Sequence, residues 1–176
     1  MKTKRCKILL VNPWISDFTA YDLWSKPIGL LYIAKFLIKY GYEVELLDLT
    51  DRARWGGLKD NRYSDGRGKY FKTIIEKPEA VRHIPRRFGL YGARPDDVMN
   101  YLGKAEKPDI VLMTSIMTYW YHGIIYTVNL LKQYFGSFKL ILGGIYATLC
   151  PEHAKNVIVP DFLVAHYGEK KSFADN

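Results

Sequence analysis

The sequence predicts an α/β domain built on a doubly wound parallel sheet of five strands. Five short apolar runs, stretches of helical spacing between them, and Gly or Pro at most junctions point to it. Lys7 to Asn12 (KILLVN) ends at Pro13 and reads as a strand buried on both faces. From Pro27 to Tyr40, Leu30, Ile33, Ala34 and Leu37 keep helical spacing. Pro27 suits the helix start and Gly41 the left-handed position past its end. Glu43 to Leu49 is the second strand. After a long insertion, a short helix is expected near Pro95 to Lys104, then a third strand from Asp109 to Ser115. A helix from about Gly123 to Phe135 sets Ile124, Val128, Leu131 and Phe135 on one face. Phe138 to Leu142 forms strand four and ends in Gly143-Gly144; a helix from Pro151 to Val157 and a strand from Asp161 to Ala165 follow.

Right-handed crossovers restrict the strand order, and the commonest five-stranded solution is the flavodoxin-like (Rossmann-like) 2-1-3-4-5. Ligands in such sheets sit beyond the carboxyl ends of the strands, where the order reverses. The loops Pro13–Lys26, Ile116–His122 and Gly143–Cys150 should therefore build any site.

Length and composition bound the rest. With 176 residues, 48% of them hydrophobic and 25% charged, there is enough for a single domain with a real core. The longest mostly apolar run, Ile28 to Ile38, is too short for a bilayer crossing, and no signal peptide is evident, so the reading is cytoplasmic with no membrane segment. Cys6 and Cys150 are the only cysteines and read as reduced thiols. The net charge is +8, and the segment Asp51–Pro95 alone carries 12 basic against 5 acidic residues, hence +7. This insertion, about 50–95, lacks a clean period and is expected to be irregular. Its basic excess fits a solvated surface best, ahead of a phosphate-bearing ligand or a polyanion.

Familiar chemistries are excluded one by one. NPWISDF after strand one lacks the G-x-G-x-x-G of dinucleotide binding, and Asp48 reads as a turn or capping carboxylate. Gly66 to Lys69 (GRGK) is followed by Tyr70 instead of Ser or Thr, so it is a loop and not a phosphate loop. Phosphoacceptor chemistry needs acidic residues where Asn12 and Ser115 stand. His83, His122, His153 and His166 have no metal-ligand spacing, and Ser115 lacks the G-x-S-x-G elbow. What stands out is the run Met117, Thr118, Tyr119, Trp120, Tyr121, His122 at the expected binding edge. Its aromatics either stack on a large planar ligand, or plug the sheet end or pack against a neighbouring domain, with equal weight from spacing alone. Gly143-Gly144 opposite allows close backbone approach by a ligand.

At these residues the sequence resembles the N-terminal cobalamin-binding domain of the radical S-adenosylmethionine enzymes that include the Mg-protoporphyrin cyclase and several methyltransferases. The matching stretches are Ile8–Pro13, Pro27–Asp48, Pro108–Gly123, Leu142–Ala154 and the closing Tyr167-Gly168-Glu169, in family order over most of the chain. The resemblance implies a module that holds a corrinoid with its nucleotide tail between strands and its ring across the strand ends. It implies cofactor-binding positions at Asn12, Pro13 and Trp14, at Ser115, Met117 and Thr118, and at Tyr119 and Trp120 near the ring. Gly143 and Gly144 would make room for the tail, Tyr146, Ala147 and Thr148 would line the same slot, and Gly168 and Glu169 complete the set.

The chain departs from the family in two places. The D-x-H-x-x-G motif, whose histidine ligates cobalt in many cobalamin proteins, is absent from Pro13–Asp17. His122 is then either a substitution without consequence or a lower axial ligand. A [4Fe–4S] cluster for S-adenosylmethionine needs three cysteines, and the chain has two. No catalysis is expected from residues 1–176, and the radical domain of the same gene product is expected beyond Asn176. The rival readings are a structural interaction domain without cofactor and, ranked last, nucleic-acid binding through Arg52, Arg54, Arg62, Arg67, Arg82, Arg86, Arg87 and Arg94.

Overall fold

In a computed structural model, residues 5–23, 26–56 and 67–165 are described. Strands β1 (Lys7–Asn12), β4 (Glu43–Asp48), β8 (Ile110–Met113), β9 (Lys139–Leu142) and β10 (Phe162–Leu163) form one sheet in the order β10-β9-β8-β1-β4. Every pairing is parallel, with Leu10 opposite Leu46 on one side and Leu112 on the other. This is the 2-1-3-4-5 order the sequence predicts.

Side chains along β1 alternate between two unequal layers. Leu9 and Val11 join Leu47, Val111 and Leu140 in the larger core. That core is covered by α2 (Pro95–Leu102), α3 (Tyr121–Phe135), the short α4 (Ile145–Leu149) and α5 (Pro151–Ile158). Ile8 and Leu10 point the other way, where α1 (Ile28–Lys39) is the covering helix and contributes Leu30, with Ala34 and Leu37 half-buried. Ile33, expected on the core stripe, is 42% exposed instead.

The insertion is more regular than the sequence suggests. Strands β6 (Phe71–Ile74) and β7 (Gly89–Gly92) pair antiparallel, and β2 (Ile15–Asp17), from the loop after β1, adds to β7. A two-residue ladder joins β3 (Tyr21–Asp22) to β5 (Gly68–Lys69), which places the last two residues of GRGK in a strand pairing. The small sheet is tied to the large one through backbone: Leu49 N–H donates to Asn12 O, and Ala93 N–H to Leu49 O. Trp14, 1% exposed, donates its indole N–H to Ala93 O at 2.7 Å, so a site candidate is also a structural bolt.

The N-terminus of α3 is held by the same small sheet. No residue of α3's own flank caps it, but the fully buried Ser16 hydroxyl of β2 accepts from Gly123 N–H at 3.0 Å and donates to Trp120 O. One orphan donor of the first turn is thereby satisfied across the junction. Helix α3 begins at Tyr121, two residues before the sequence expectation, and residues 118–120 form a 3-10 turn.

The alkaline stability of this fold is predictable. Burial, and for Tyr101 a hydrogen bond to Glu45, push the phenols of Tyr101 and Tyr146 up to about 12. In the unfolded chain both ionise near ~10. The unfolded state therefore loses these protons first, and stability is full below about pH 10 and falls as pH rises toward about 12. Thermal midpoints should be level up to that point and then decline; Tyr101→Phe and Tyr146→Phe should each flatten the decline.

Candidate functional site

Two cavities open at the carboxyl ends of the strands. The larger, about 530 Å³, lies between α1 and the ends of β8 and β9. Leu30 and Ile33 form one wall, Leu112 and Ile141 the sheet side, and Gly143, Gly144, Ile145, Thr148, Leu149 and Val164 the rim. Apolar lining with few polar groups, at a few hundred Å³, is the chemistry of a small-molecule pocket. Gly143 sits in this wall with nothing nearer to an added Cβ than Val164 Cβ at 3.8 Å, so a side chain there would enter the empty space. Gly144 is different. Its φ is +89°, and a Cβ would stand 2.6 Å from Thr114 Oγ1 and 2.8 Å from Ser115 O, so only glycine joins β9 to α4 so closely. The two loops are also stitched by Gly143 N–H to Met113 O and Ile145 N–H to Ser115 O.

The smaller cavity, about 130 Å³, sits under the small sheet at the ends of β1 and β8. Asn12, Pro13, Trp14, Tyr21, Thr50, Tyr70, Ser115, Met117 and Trp120 line it. Its polar floor is internally satisfied. Asn12 Nδ2 donates to Asp48 Oδ1 at 2.8 Å and to Thr50 Oγ1 at 2.9 Å, while Thr50 N–H and hydroxyl both donate to Asp48 Oδ1. Asp48 is thus a turn carboxylate. Burial and the nearby Asp22 and Asp48 carboxylates hold the Tyr70 phenol well above its ordinary range. Ser115 hydroxyl donates to Met117 O at 3.0 Å and shapes the turn after β8.

The sequence-expected residues therefore divide. Asn12, Pro13, Trp14, Ser115, Met117 and Trp120 gather at the small cavity, and Gly143, Gly144 and Thr148 at the large one. Thr118 and Tyr119 line neither; Tyr119 is exposed on the 3-10 turn and stands edge-on to Trp120 at 6.0 Å. Tyr146 and Ala147 are buried in the larger core, and Tyr146 hydroxyl lies 2.6 Å from His153 Nδ1. Helix α4 turns these two away from the slot, whereas the sequence reading treats Gly143–Cys150 as a loop. His122 lines neither cavity. It packs against Tyr121 and Phe88, and burial, with His153 nearby, lowers its pKa. Gly168 and Glu169 lie outside the described residues. Missing from the expected set were the α1 wall and the sheet-side residues Leu112 and Ile141. The one available signal was the all-round apolarity of α1.

Three of the insertion's arginines are engaged within the fold. Arg52 is buried, 3.6 Å from Asp22, Arg54 stacks on Trp55 and Tyr101, and Arg94 covers Phe71. Among the described residues no helix is long and apolar enough to cross a membrane.

Residues 89–172 match the family model of the B12 binding domain. The match runs from β7 through the β8 and β9 ends that frame the large cavity. The chain is 28% identical over 148 residues to cytidylyl-2-hydroxyethylphosphonate methyltransferase of Streptomyces wedmorensis, covering 83% of this chain and 23% of that protein. Its fold is similar to that of the radical S-adenosylmethionine methyltransferase TsrM from Kitasatospora setae, solved with cobalamin and a [4Fe–4S] cluster. The TM-score is 0.54 at 16% identity, over 89% of this chain and 21% of that one. The chain thus spans less than a quarter of the length of either.

Proposed function

We propose that the chain binds a corrinoid, with the nucleotide tail in the large cavity and the ring over the strand ends, and presents it to a radical S-adenosylmethionine domain of the same gene product. One observation carries the reading: the crevice between the β8 and β9 ends is an apolar space of about 530 Å³ that the side chains of the described residues leave open. The residues present fit the group. Gly143 leaves room for a planar base, Leu30, Ile33, Ile141 and Val164 line the space around it, and Thr148, whose hydroxyl donates to Gly144 O, stands at the rim. Met117 and Tyr119, exposed on the neighbouring turn, are apolar surface available to a ring lying across the mouth.

When bound, such a group supplies a cobalt centre able to accept and donate a methyl group. This chain's part is to hold and orient it. The loop Pro13–Asp17 offers no histidine to cobalt, and Cys6 and Cys150 are too few for a three-thiolate cluster, so S-adenosylmethionine and iron–sulfur chemistry belong to the partner domain. Both relatives named above are methyltransferases, which supports methyl transfer as the activity of the longer protein. Incubation with hydroxocobalamin followed by gel filtration should leave a coloured protein with about one equivalent of corrinoid; a colourless protein peak would remove the proposal.

A further inference from the structure

Helix α1 lacks the polar outer face of a surface helix. Its sequence, IGLLYIAKFLIK, is apolar around the whole circumference apart from Lys35 and Lys39. Leu30 is its one buried residue, while Ile28, Leu31, Tyr32, Phe36, Ile38 and the adjoining Tyr40 are each 45% to 73% exposed. Phe36 and Tyr40 pack ring to ring at 4.6 Å on this outer side. Six such side chains present on the order of 700 Å² of apolar surface, beyond an ordinary monomer's patch and close to one side of a standard protein interface.

We propose that the outer face of α1 docks another polypeptide surface that is apolar at its centre and carries carboxylates. The charge pattern selects this occupant. Lys35 and Lys39, one turn apart and exposed, form no ion pair with a described residue, and α1 has no acidic residue. A two-fold contact between copies would place both lysine pairs in one seam with nothing to neutralise them, so a second copy fits poorly. An interfacial membrane helix needs a strongly polar face opposite the apolar one, and α1 has none. In both longer relatives most of the polypeptide lies outside the matched stretch, a length of chain from which such a partner surface can come. The inference is independent of corrinoid binding: Tyr32, Phe36, Lys35 and Lys39 do not line the cavity.

The probe is a helical peptide with leucines along one face and flanking glutamates, paired with a counterpart carrying lysines in place of the glutamates. The chain should bind the glutamate peptide at least tenfold tighter. Tyr32→Glu with Phe36→Glu should weaken it at least tenfold, and Lys35→Glu with Lys39→Glu should invert the preference, with circular dichroism unchanged. Equal affinity for the two peptides, or no inversion by the charge swap, would overturn the proposal. So would a concentration-dependent dimer abolished by Phe36→Glu, or binding to phosphatidylglycerol vesicles without binding to the peptide. Loss of corrinoid binding in the wild-type chain would leave this result standing, which keeps the two failures apart.

Discussion

A Gly143→Leu chain is expected to fold normally and to lose corrinoid affinity by about 100-fold or more, equivalent to ~2.7 kcal/mol. The two halves of that expectation have separate causes. Gly143 does not occupy the left-handed region, and a Cβ there meets only Val164 Cβ at 3.8 Å, an ordinary contact, so the backbone has no reason to shift. The remaining leucine atoms project into the large cavity, where a planar base would otherwise lie. The thermal midpoint should stay within a few degrees of wild type while a visible-absorbance titration loses its saturation. A midpoint that falls together with affinity would mean that Gly143 serves packing alone.

Gly123→Ala is expected to have the opposite profile, a large loss of stability of about 3 kcal/mol. An alanine Cβ would overlap the Trp14 carbonyl oxygen outright. Relief requires α3 and β2 to separate, which pulls Gly123 N–H from Ser16 Oγ and disturbs the Trp14 indole bond to Ala93 O. For a domain of this size the midpoint should drop by roughly 10 °C. Gly103→Ala is the matched control. Gly103 has a helical φ of −64° and its nearest neighbour to an added Cβ is 3.5 Å away, so the change should be neutral or slightly stabilising. Thermal melts of the three proteins decide it.

The parallel sheet was legible because each of its strands is a short apolar run closed by a turn signal, and because crossover handedness leaves few orders to choose from. The glycine pair was legible for a related reason: two glycines at the end of a buried strand have no role in the strand itself. Other features depend on what packs against what. Ile33 has helical spacing with Leu30 and Leu37, but with α1 the lone helix on its face among the described residues the sequence period cannot tell which stripe is covered. Helix α4 is five residues long, too short to show a period, yet its turn sends Tyr146 into the core and leaves Thr148 at the rim. The β6–β7 pair gains its third strand from β2, more than fifty residues earlier, so nothing local in Phe71–Ile74 marks it. The Asn12–Asp48–Thr50 cluster likewise joins the ends of two strands that only the folded sheet makes neighbours.

The central claim is that the crevice between the β8 and β9 ends takes the nucleotide tail, and the most direct measurement compares hydroxocobalamin with a cobinamide, the same ring lacking that tail, by calorimetric titration of the chain. Cobalamin should bind at least tenfold more tightly, and the advantage should vanish in Gly143→Leu. Equal affinities in the wild-type chain, or no heat from either ligand, would contradict it.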